Sequence, residues 1–413
     1  MSDPSPQDFP RGRVAYIAHY FPALTQTFVY REVQALEALG WKILPYSIRR
    51  PTKGISDEAR ELAARTAYLL PLRPLRFLGG NLAALARNPR GYLGALLSTA
   101  AARGERARAR SLALAHSFGA LCLVRELEAA GVRHIHAHFA TTPATLAMAA
   151  AGFLGIPFSM TIHARDLFTG ANLLRTKIER AKFVVTISAY NREILASIAP
   201  AAAAKIRVVH CGVDLERFAP APRDASPARE RPTFLAVGRL VEKKGFRYLV
   251  EAAAILARRR VLVEIRVVGG GPEADALARR AAELGVADSV RLEGPLSQER
   301  LLPELRAADA FVLPCVRAQD GDQDGIPVSL MEAMACEIPC VSTRISGIPE
   351  LIEDGKEGLL VPEKDPEALA GAIERLAADP ALRREYGRAA RKKVEAAFSL
   401  AVQARELDRL LRS

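Results

Sequence analysis

Residues 233–250 read TFLAVGRLVEKKGFRYLV, and this stretch decides the fold class. Its first five residues predict a short buried strand, a loop that contains two glycines follows, and apolar residues then recur at helical spacing. Residues 265–268 predict a second strand. A strand, a helix and another strand in this order are typical of a βαβ unit, whose strands lie parallel in one sheet.

The same alternation runs through most of the chain, with further strands predicted at residues 14–18, 183–187 and 207–209. Prolines and charged residues interrupt it once, which predicts a linker. We therefore predict an α/β protein with two Rossmann-like, doubly wound domains that face each other across a cleft. The predicted parts are an N-terminal domain at 1–215, the linker at 216–232, a C-terminal domain at 233–390, and a terminal helix at 391–413 that packs back on the first domain.

Composition excludes several classes of protein. The chain has 413 residues, a net charge of +12 and an apolar fraction of 50%, which are values of a folded protein and not of a disordered one. Its five cysteines form no CxxC pair, so neither a disulfide framework nor a zinc finger is expected. The N-terminal residues are polar, and the most apolar region, 137–162, is too interrupted to cross ~30 Å of hydrocarbon. We expect a cytoplasmic protein.

Residues 60–110 carry ten arginines against two glutamates, together with leucine-rich runs. A basic, leucine-rich helical stretch can bind anionic headgroups, so we expect contact with the inner face of the cell membrane. The alternative is an ordinary solvated surface. Nucleic acid is not an expected partner, because no recognition motif supports it.

Two glycine-containing turns in the second half favour an anionic ligand. Gly238 lets a ligand approach the backbone directly after a strand, and Arg239 and Lys244 add two cations that can hold a pyrophosphate without a metal. Gly270 lies in a second strand-to-helix turn, VGGGPE, with a helix N-terminus behind it. This turn is not a dinucleotide fingerprint, because GxGxxG is absent.

The most informative motif is DGIPVSLMEAMA, which begins at Asp324. Pro327 predicts the first turn of a helix, so the backbone N–H groups from Gly325 and Ile326 onward can form an anion site. Glu332 lies within the helix, eight positions after Asp324. A carboxylate on the helix can bind both hydroxyls of a ribose, and one in the loop can reach a sugar ring.

In their order and spacing, these motifs resemble those of the retaining GT-B glycosyltransferases of family 4. The likeness is to the branch that builds bacterial exopolysaccharide and cell-envelope glycans, of the colanic-acid type. The first half of the chain agrees, with FPALTQTF at 21–28, HIHAHFA at 134–140, SMTIHARDLF at 159–168, TISAYN at 186–191 and CGVD at 211–214. The resemblance covers nearly the whole chain and implies the GT-B fold.

The resemblance also implies roles for individual residues on the donor side. Arg239 and Lys244 would bind the donor diphosphate, and Glu332 would bind the ribose. Asp324, a position that is usually glutamate in the family, would contact the transferred sugar together with the loop amides that follow it. His163 would lie beside the sugar in the cleft.

On the acceptor side the resemblance points to the loop at residues 21–27, which includes Thr25 and Thr27, and to Asp166. His19, at the end of the first predicted strand, is expected to line the cleft.

Three alternating histidines, His134, His136 and His138, share one face of a predicted strand, which makes a metal cluster conceivable. The sequence shows no carboxylate placed to complete it, so polar packing at the strand end is the preferred interpretation, and no metal or cofactor is expected. Thiol catalysis, GxSxG hydrolases and P-loop enzymes are also excluded, because no cysteine has a base partner and neither motif occurs.

The function that the resemblance implies is hexosyl transfer with retention of configuration. The sugar would move from a nucleotide-diphosphate sugar to a glycan or a lipid-linked acceptor, and a closing cleft would exclude water. Two alternatives stay open: a nucleotide-sugar 2-epimerase with the same fold, and a non-catalytic GT-B subunit that positions a partner enzyme.

Overall fold

The computed structural model of the chain describes residues 11–23, 26–51, 54–55, 59–71, 74–100, 107–168, 170–221 and 231–413. It divides into two compact units. Unit 1 comprises Met1–His210 and Ala404–Ser413, and unit 2 comprises Cys211–Gln403. Residues 222–230 of the predicted linker lie outside the described residues.

Unit 1 contains a parallel sheet of seven strands in the described part of the chain. The strands are β1 Gly12–Tyr20, β2 Trp41–Arg49, β3 Ala67–Tyr68, β4 His134–His138, β5 Phe158–Ile162, β6 Val184–Thr186 and β7 Ile206–Val208. Their order across the sheet is β3-β2-β1-β4-β5-β6-β7. The order reverses between β1 and β4, and ligands of doubly wound sheets bind at the carboxyl ends of strands at such a point.

The following helices of unit 1 lie between its strands in the sequence. They are α1 Thr27–Ala38, α2 Arg60–Arg65, α3 Pro74–Arg87, α4 Pro89–Ala100, α5 Ala107–Leu121, α6 Val124–Ala129, α7 Thr142–Leu154, α8 Ala164–Phe168, α9 Leu174–Arg180 and α10 Ala189–Ile198. A 3₁₀ helix, Pro200–Lys205, precedes β7.

The core of unit 1 lies on both faces of its sheet because successive side chains of a strand point to opposite faces. On β1, Ala15 and Ile17 pack in the cluster that contains α7, whereas Val14 and Tyr16 pack in the cluster that contains α1. Helix α7 is buried along nearly its whole length.

Unit 2 repeats this architecture with six parallel strands in its described residues. The strands are β8 Thr233–Val237, β9 Glu264–Val268, β10 Val290–Gly294, β11 Ala310–Leu313, β12 Cys340–Thr343 and β13 Gly358–Val361. Their order is β10-β9-β8-β11-β12-β13, so the order reverses between β8 and β11. Two parallel, doubly wound sheets confirm the predicted α/β fold class.

The helices of unit 2 follow its strands in turn. They are α11 Phe246–Arg258, α12 Ala274–Glu283, α13 Gln298–Ala307, α14 Val328–Ala335, α15 Ile348–Leu351, α16 Pro366–Ala378 and α17 Pro380–Ala397, with a 3₁₀ helix at Glu242–Lys244. The last helix, α18 Leu400–Arg412, returns to unit 1 from residue 404 onward. There Trp41 Nε1 donates a hydrogen bond to Asp408 Oδ1 at 2.9 Å, and Leu407 packs in the cluster around α1.

Among the described residues, none of the helices has the length and apolar character needed to cross a membrane.

Candidate active site

The loops that follow β8 and β11 contact each other at the point where the strand order of unit 2 reverses. The Val316 N–H donates to the Lys243 carbonyl at 2.9 Å, and the Gln319 N–H donates to Glu242 Oε1 at 3.1 Å. Gly245 permits this approach: its φ is +68°, and a Cβ there would lie 1.9 Å from the Pro314 carbonyl oxygen. A side chain does not fit at this position, so glycine is required.

Two lysines from the first loop meet two aspartates from the second. Lys244 Nζ lies 2.7 Å from Asp324 Oδ2, and Lys243 Nζ lies 3.0 Å from Asp322 Oδ2 and 3.4 Å from Asp324 Oδ1. The Cys315 thiol also lies 3.6 Å from Asp324 Oδ2. The structure thus brings Lys244 and Asp324 together, as expected of a common site. Lys243 and Asp322 are members of the cluster that the sequence interpretation missed; the adjacent lysines of EKKG were the available signal.

Both partners of the central ion pair stay charged at neutral pH. Burial alone would raise the pKa of Asp324, but the ammonium groups of Lys244 and Lys243 outweigh it and lower that pKa below its ordinary value. Burial likewise would lower the pKa of Lys244, and the Asp324 carboxylate more than offsets it and raises that pKa. The site is therefore a compact ionic cluster.

Gly238 and Arg239 lie beside this cluster. A Cβ on Gly238 would be 3.3 Å from Lys244 Cε, so the glycine keeps the backbone close to the lysine side chain. Arg239 is exposed, and its positive charge acts to lower the pKa of Lys244, which shows that the two cations share one neighbourhood. The binding of a diphosphate by this pair of cations stays a prediction.

The glycine-rich turn after β9 is joined to the same loop. The Gly238 N–H donates to the Val268 carbonyl at 3.1 Å, and the Leu240 N–H donates to the Gly270 carbonyl at 3.0 Å. At Gly269, with φ +152°, a Cβ would lie 1.8 Å from the Gly238 carbonyl oxygen. The turn therefore shapes the loop that carries Arg239, and a direct contact of Gly270 with a donor stays a prediction.

Helix α14 begins one residue later than predicted. Pro327 is its N-cap and does not lie in its first turn, so the exposed N–H groups of the helix start at Val328. The Ser329 hydroxyl donates to the Val237 carbonyl at 3.2 Å and ties the first turn of α14 to the end of β8. Gly325 and Ile326 are buried in the loop before it.

Glu332 lies in the middle of α14 among apolar neighbours and is 8% exposed. A carboxylate this buried needs polar partners in the protein or in a ligand, whereas an exposed carboxylate is solvated by water. Its role toward a ribose stays a prediction.

In unit 1, polar side chains gather at the carboxyl ends of β4 and β5. His138 Nδ1 lies 3.3 Å from His163 Nε2, and His138 Nε2 lies 3.0 Å from Glu32 Oε1. The Tyr16 hydroxyl donates to the same Glu32 oxygen at 2.8 Å. The expectation that no carboxylate accompanies the histidine strand was wrong, because α1 brings Glu32 to it. Helical periodicity predicted α1, but it did not indicate which strand the polar face of this helix would contact.

The other two histidines of β4 bond to hydroxyls of β5. His134 Nε2 and His136 Nδ1 each lie 2.7 Å from Ser159 Oγ, and His136 Nε2 lies 3.0 Å from Thr161 Oγ1. Ligand atoms of Glu32, His136 and His138 lie within 4.8 Å of one another, close enough to hold a metal ion. Both nitrogens of His136 already have partners, so a metal would have to displace one of these hydrogen bonds.

Burial keeps the imidazoles of His134, His136 and His163 neutral. It lowers the pKa of His134 to about 3, and it lowers the pKa values of His136 and His163 well below their ordinary range, with nearby histidines adding to the effect. At pH 7 these side chains are hydrogen-bonding groups and carry no charge.

Asp166 holds the backbone around His163. Its Oδ2 accepts hydrogen bonds from the N–H groups of Ala140 at 2.9 Å and His163 at 3.2 Å. Burial raises the pKa of Asp166 to about 6, although these two N–H groups and the Lys177 charge act to lower it. These contacts give the side chain a positioning role, and contact with an acceptor stays a prediction.

The remaining acceptor-side residues are only partly described. His19 is partly buried at the end of β1, with its ring 4.7 Å from that of Tyr20, and burial and the Arg49 charge lower its pKa. Thr27 is the first residue of α1, whereas Thr25 lies outside the described residues. Their contact with an acceptor stays a prediction.

Two family models match the chain, one over each half. Residues 25–217 match the model described as Glycosyltransferase Family 4, and residues 220–393 match the model described as Glycosyl transferases group 1. Together they span most of the chain. The chain belongs to the family 4 glycosyltransferases of GT-B fold, as its motifs indicated.

Two curated relatives come from exopolysaccharide synthesis. The colanic acid biosynthesis glycosyltransferase WcaL of Escherichia coli (strain K12) is 43% identical over 215 residues. The amylovoran biosynthesis glycosyltransferase AmsK of Erwinia amylovora is 41% identical over 211 residues. Each match covers 51% of this chain and 51% of the relative, so the chain spans about half the length of the curated relatives it matches.

A solved structure extends the likeness to the whole fold. The Anabaena protein Alr3699/HepE, crystallised in complex with UDP, matches with a TM-score of 0.71 and 15% identity. The match covers 97% of this chain and 99% of that one. At this identity the likeness concerns the fold alone.

Proposed function

We propose that this protein is a retaining hexosyltransferase of exopolysaccharide or cell-envelope glycan synthesis. It transfers a sugar from a nucleoside-diphosphate sugar to a glycan or a lipid-linked acceptor. The observation that carries the proposal is the ionic cluster of unit 2, where Lys243, Lys244 and Arg239 stand at the end of β8, next to the first turn of α14. Family membership and the named activities of WcaL and AmsK support it.

The charges of the cluster fit a diphosphate leaving group. The two lysines pair with Asp322 and Asp324, and the exposed Arg239 adds a cation beside Lys244 that a ligand can reach. The first N–H groups of α14 add a partial positive charge at the same strand end. Groups already fixed in place stabilise a departing diphosphate without reorganising, an effect worth several kcal/mol of the barrier.

We further propose that this stabilisation needs no metal ion. Fixed cations supply the charge that Mg²⁺ or Mn²⁺ would otherwise provide, and the carboxylates that could bind such an ion, Asp322 and Asp324, are engaged by lysines. The sugar then leaves the diphosphate as the acceptor hydroxyl approaches from the same face, and a phosphate oxygen takes the hydroxyl proton.

The test is donor turnover by the purified protein. Nucleotide sugars are first screened by thermal shift, and transfer from the binding donor to extracted lipid-linked acceptors is then followed by NMR. We expect Lys244→Ala and Arg239→Ala each to lower kcat/KM by ~100-fold or more, in line with the loss of one charge-stabilising group. Arg247→Ala is the matched control, because its exposed side chain on α11 pairs only with Glu251 on the same helix in the contacts seen here.

The alternatives give different spectra in the same experiment. A 2-epimerase converts UDP-N-acetylglucosamine with no acceptor present. A non-catalytic subunit leaves every donor unchanged, whether or not acceptor is present. Epimerisation of the donor without acceptor, or no turnover of any donor, would contradict the proposal.

We also propose that unit 1 contacts an anionic membrane through α3 and α4. Leu75, Leu78 and Leu82 of α3 are 88%, 58% and 57% exposed and recur at spacings of three and four, so they share one helix face. Leu93 and Leu97 of α4 are also exposed. Exposed leucines at this density are typical of an interfacial helix.

The positive charge of this segment is smaller than its composition implied. Arg65 pairs with Glu37 at 2.6 Å, and the exposed Arg76 and Arg87 pair with Glu126 and Glu128 of α6. Apolar contact therefore carries more of the proposed binding than the arginine count predicts.

Co-sedimentation with vesicles of phosphatidylglycerol and phosphatidylethanolamine tests this contact. We expect Leu78→Glu/Leu82→Glu to weaken binding at least tenfold. Leu262→Glu is the matched control, because Leu262 is a comparably exposed leucine in unit 2. Equal binding by both variants would contradict the proposal.

A further inference from the structure

A continuous chain of polar contacts leads from Tyr16 to His163. The Tyr16 hydroxyl and His138 Nε2 both bond to Glu32 Oε1, at 2.8 and 3.0 Å, and His138 Nδ1 lies 3.3 Å from His163 Nε2. The chain joins β1, α1 and β4 to the residue that follows β5. Its members are held by sheet and helix packing, since His138 and Tyr16 are buried.

The Glu32 carboxylate, between Tyr16 and His138, fixes the direction of the two hydrogen bonds that lead to His163. An ionised carboxylate can only accept, so His138 must donate to Glu32 from Nε2. When the His138 imidazole carries a single N–H, that hydrogen is the one on Nε2, so its Nδ1 accepts. His163 must then donate from Nε2, which leaves the lone pair on its own Nδ1.

We propose that Glu32 and His138 are positioning residues that hold His163 in the Nε2–H tautomer and so present its Nδ1 as a hydrogen-bond acceptor for a hydroxyl of the substrates. The identity of that hydroxyl, on the sugar or on the acceptor, rests on the proposed function. The tautomer rests on the contacts of Glu32 with a singly protonated His138, and not on the proposed function.

The surroundings of His163 support a single ring position. Phe28 and Phe139 pack against it with ring centroids 4.9 and 4.6 Å away, and Asp166 accepts a hydrogen bond from its backbone N–H. Phe139 has φ +75°, a conformation that a bulky residue adopts only where the surrounding structure enforces it. Burial lowers the pKa of His163, so the ring is neutral and has a definite tautomer at pH 7.

A metal ion is the competing use of the same atoms. Bound between Glu32, His136 and His138, it would occupy the nitrogen and oxygen atoms that the hydrogen bonds require. The observed geometry favours the hydrogen bonds, because His136 Nδ1 and Nε2 are both satisfied by hydroxyls.

The direct test is the ¹⁵N NMR spectrum of histidine-labelled protein at pH 7.5, with the His163 signals assigned by their loss in His163→Gln. We expect the shifts of an Nε2–H tautomer for His163. An Nδ1–H tautomer in the wild type would overturn the proposal, and so would one equivalent of copurified metal per chain.

Variants of α1 test whether Glu32 sets the tautomer of His163. Glu32→Met removes the acceptor, so the His163 signals are expected to shift toward the Nδ1–H form. Glu32→Gln keeps an acceptor oxygen and is expected to retain the Nε2–H form. Glu37→Met is the matched control on the same helix, because among the described residues its side chain pairs with the surface Arg65 and not with the histidines. An unchanged His163 tautomer in folded Glu32→Met would overturn the proposal.

Sugar transfer provides the second measurement. Glu32→Met is expected to lower kcat by ~10- to 100-fold, as loss of a partner that orients a functional histidine does elsewhere, while Glu32→Gln and Glu37→Met stay within about twofold of wild type. A normal kcat in Glu32→Met would overturn the positioning role. If the wild type transfers no sugar, the proposed function fails, whereas the tautomer assignment is still decided by the spectrum.

Discussion

Lys244→Met is the variant that examines the ionic cluster most sharply. It preserves most of the side-chain volume and removes the ammonium group that lies 2.7 Å from Asp324. The Asp324 side chain is 15% exposed, so water replaces the lost partner poorly. Lys243, 3.4 Å from the other carboxylate oxygen, remains as a charged partner, and the Cys315 thiol remains 3.6 Å from Oδ2.

Breaking a buried pair by removal of one partner costs about 3–5 kcal/mol. Because Lys243 compensates in part, we expect the lower end of this range, about 3 kcal/mol. For a unit of this size that corresponds to a fall of roughly 6–12 °C in the thermal midpoint. The same substitution removes a cation from the proposed diphosphate site, so nucleoside diphosphate binding should weaken in parallel.

Differential scanning fluorimetry of a double-mutant cycle measures both effects. Lys244→Met/Asp324→Asn should be more stable than Lys244→Met, because no uncompensated carboxylate is left, yet it should not recover nucleotide binding. Arg247→Met, at an exposed site on the adjacent helix, should change neither quantity. A Lys244→Met midpoint within 2 °C of wild type would refute the reasoning, since the pair would then contribute little to the fold.

Three further outcomes follow from the structure. Gly245→Ala should destabilise the protein by at least ~2 kcal/mol more than Gly285→Ala. Both glycines have φ +68°, but only the Cβ added at position 245 would meet a backbone oxygen. The thermal midpoints of the two variants measure the difference. Folding raises the pKa of Asp166 from 3.8 to about 6, so its contribution to stability is lost as pH rises between about 4 and 6. Between pH 5 and pH 7, urea unfolding should show wild type losing about 1 kcal/mol relative to Asp166→Asn. Sugar transfer should persist in EDTA, and strict dependence on Mg²⁺ or Mn²⁺ would contradict the diphosphate role of Arg239 and Lys244.

The sheets were predictable because each buried strand is a short β-branched run that a helix of clear periodicity follows. Residues 233–268 contain two such strands with one helix between them, and β8, α11 and β9 occupy nearly the predicted positions. The start of α14 was less predictable. Proline fits both the N-cap and the first turn, and only the backbone angles of Pro327 distinguish them.

The site was predictable where residues lie close in sequence and less so where the fold joins distant elements. Arg239 and Lys244 share one loop, so their proximity follows from the motif. The Glu32–His138 contact joins residues 106 positions apart and depends on how α1 lies across the sheet. Likewise, the ion pairs of Arg76 and Arg87 with α6 could not be deduced from a count of arginines.

The polar clusters of the two units differ in their electrostatics. In unit 2 the functional groups are charged, which suits a diphosphate whose negative charge grows as it leaves. In unit 1 burial keeps the imidazoles of His136 and His163 neutral. A neutral ring can accept a hydrogen bond from a hydroxyl without repelling the positive charge that develops on the sugar as the bond to the diphosphate breaks. Burial of the histidine cluster therefore has a chemical consequence: a hydroxyl that binds His163 would meet a neutral acceptor and not a cation.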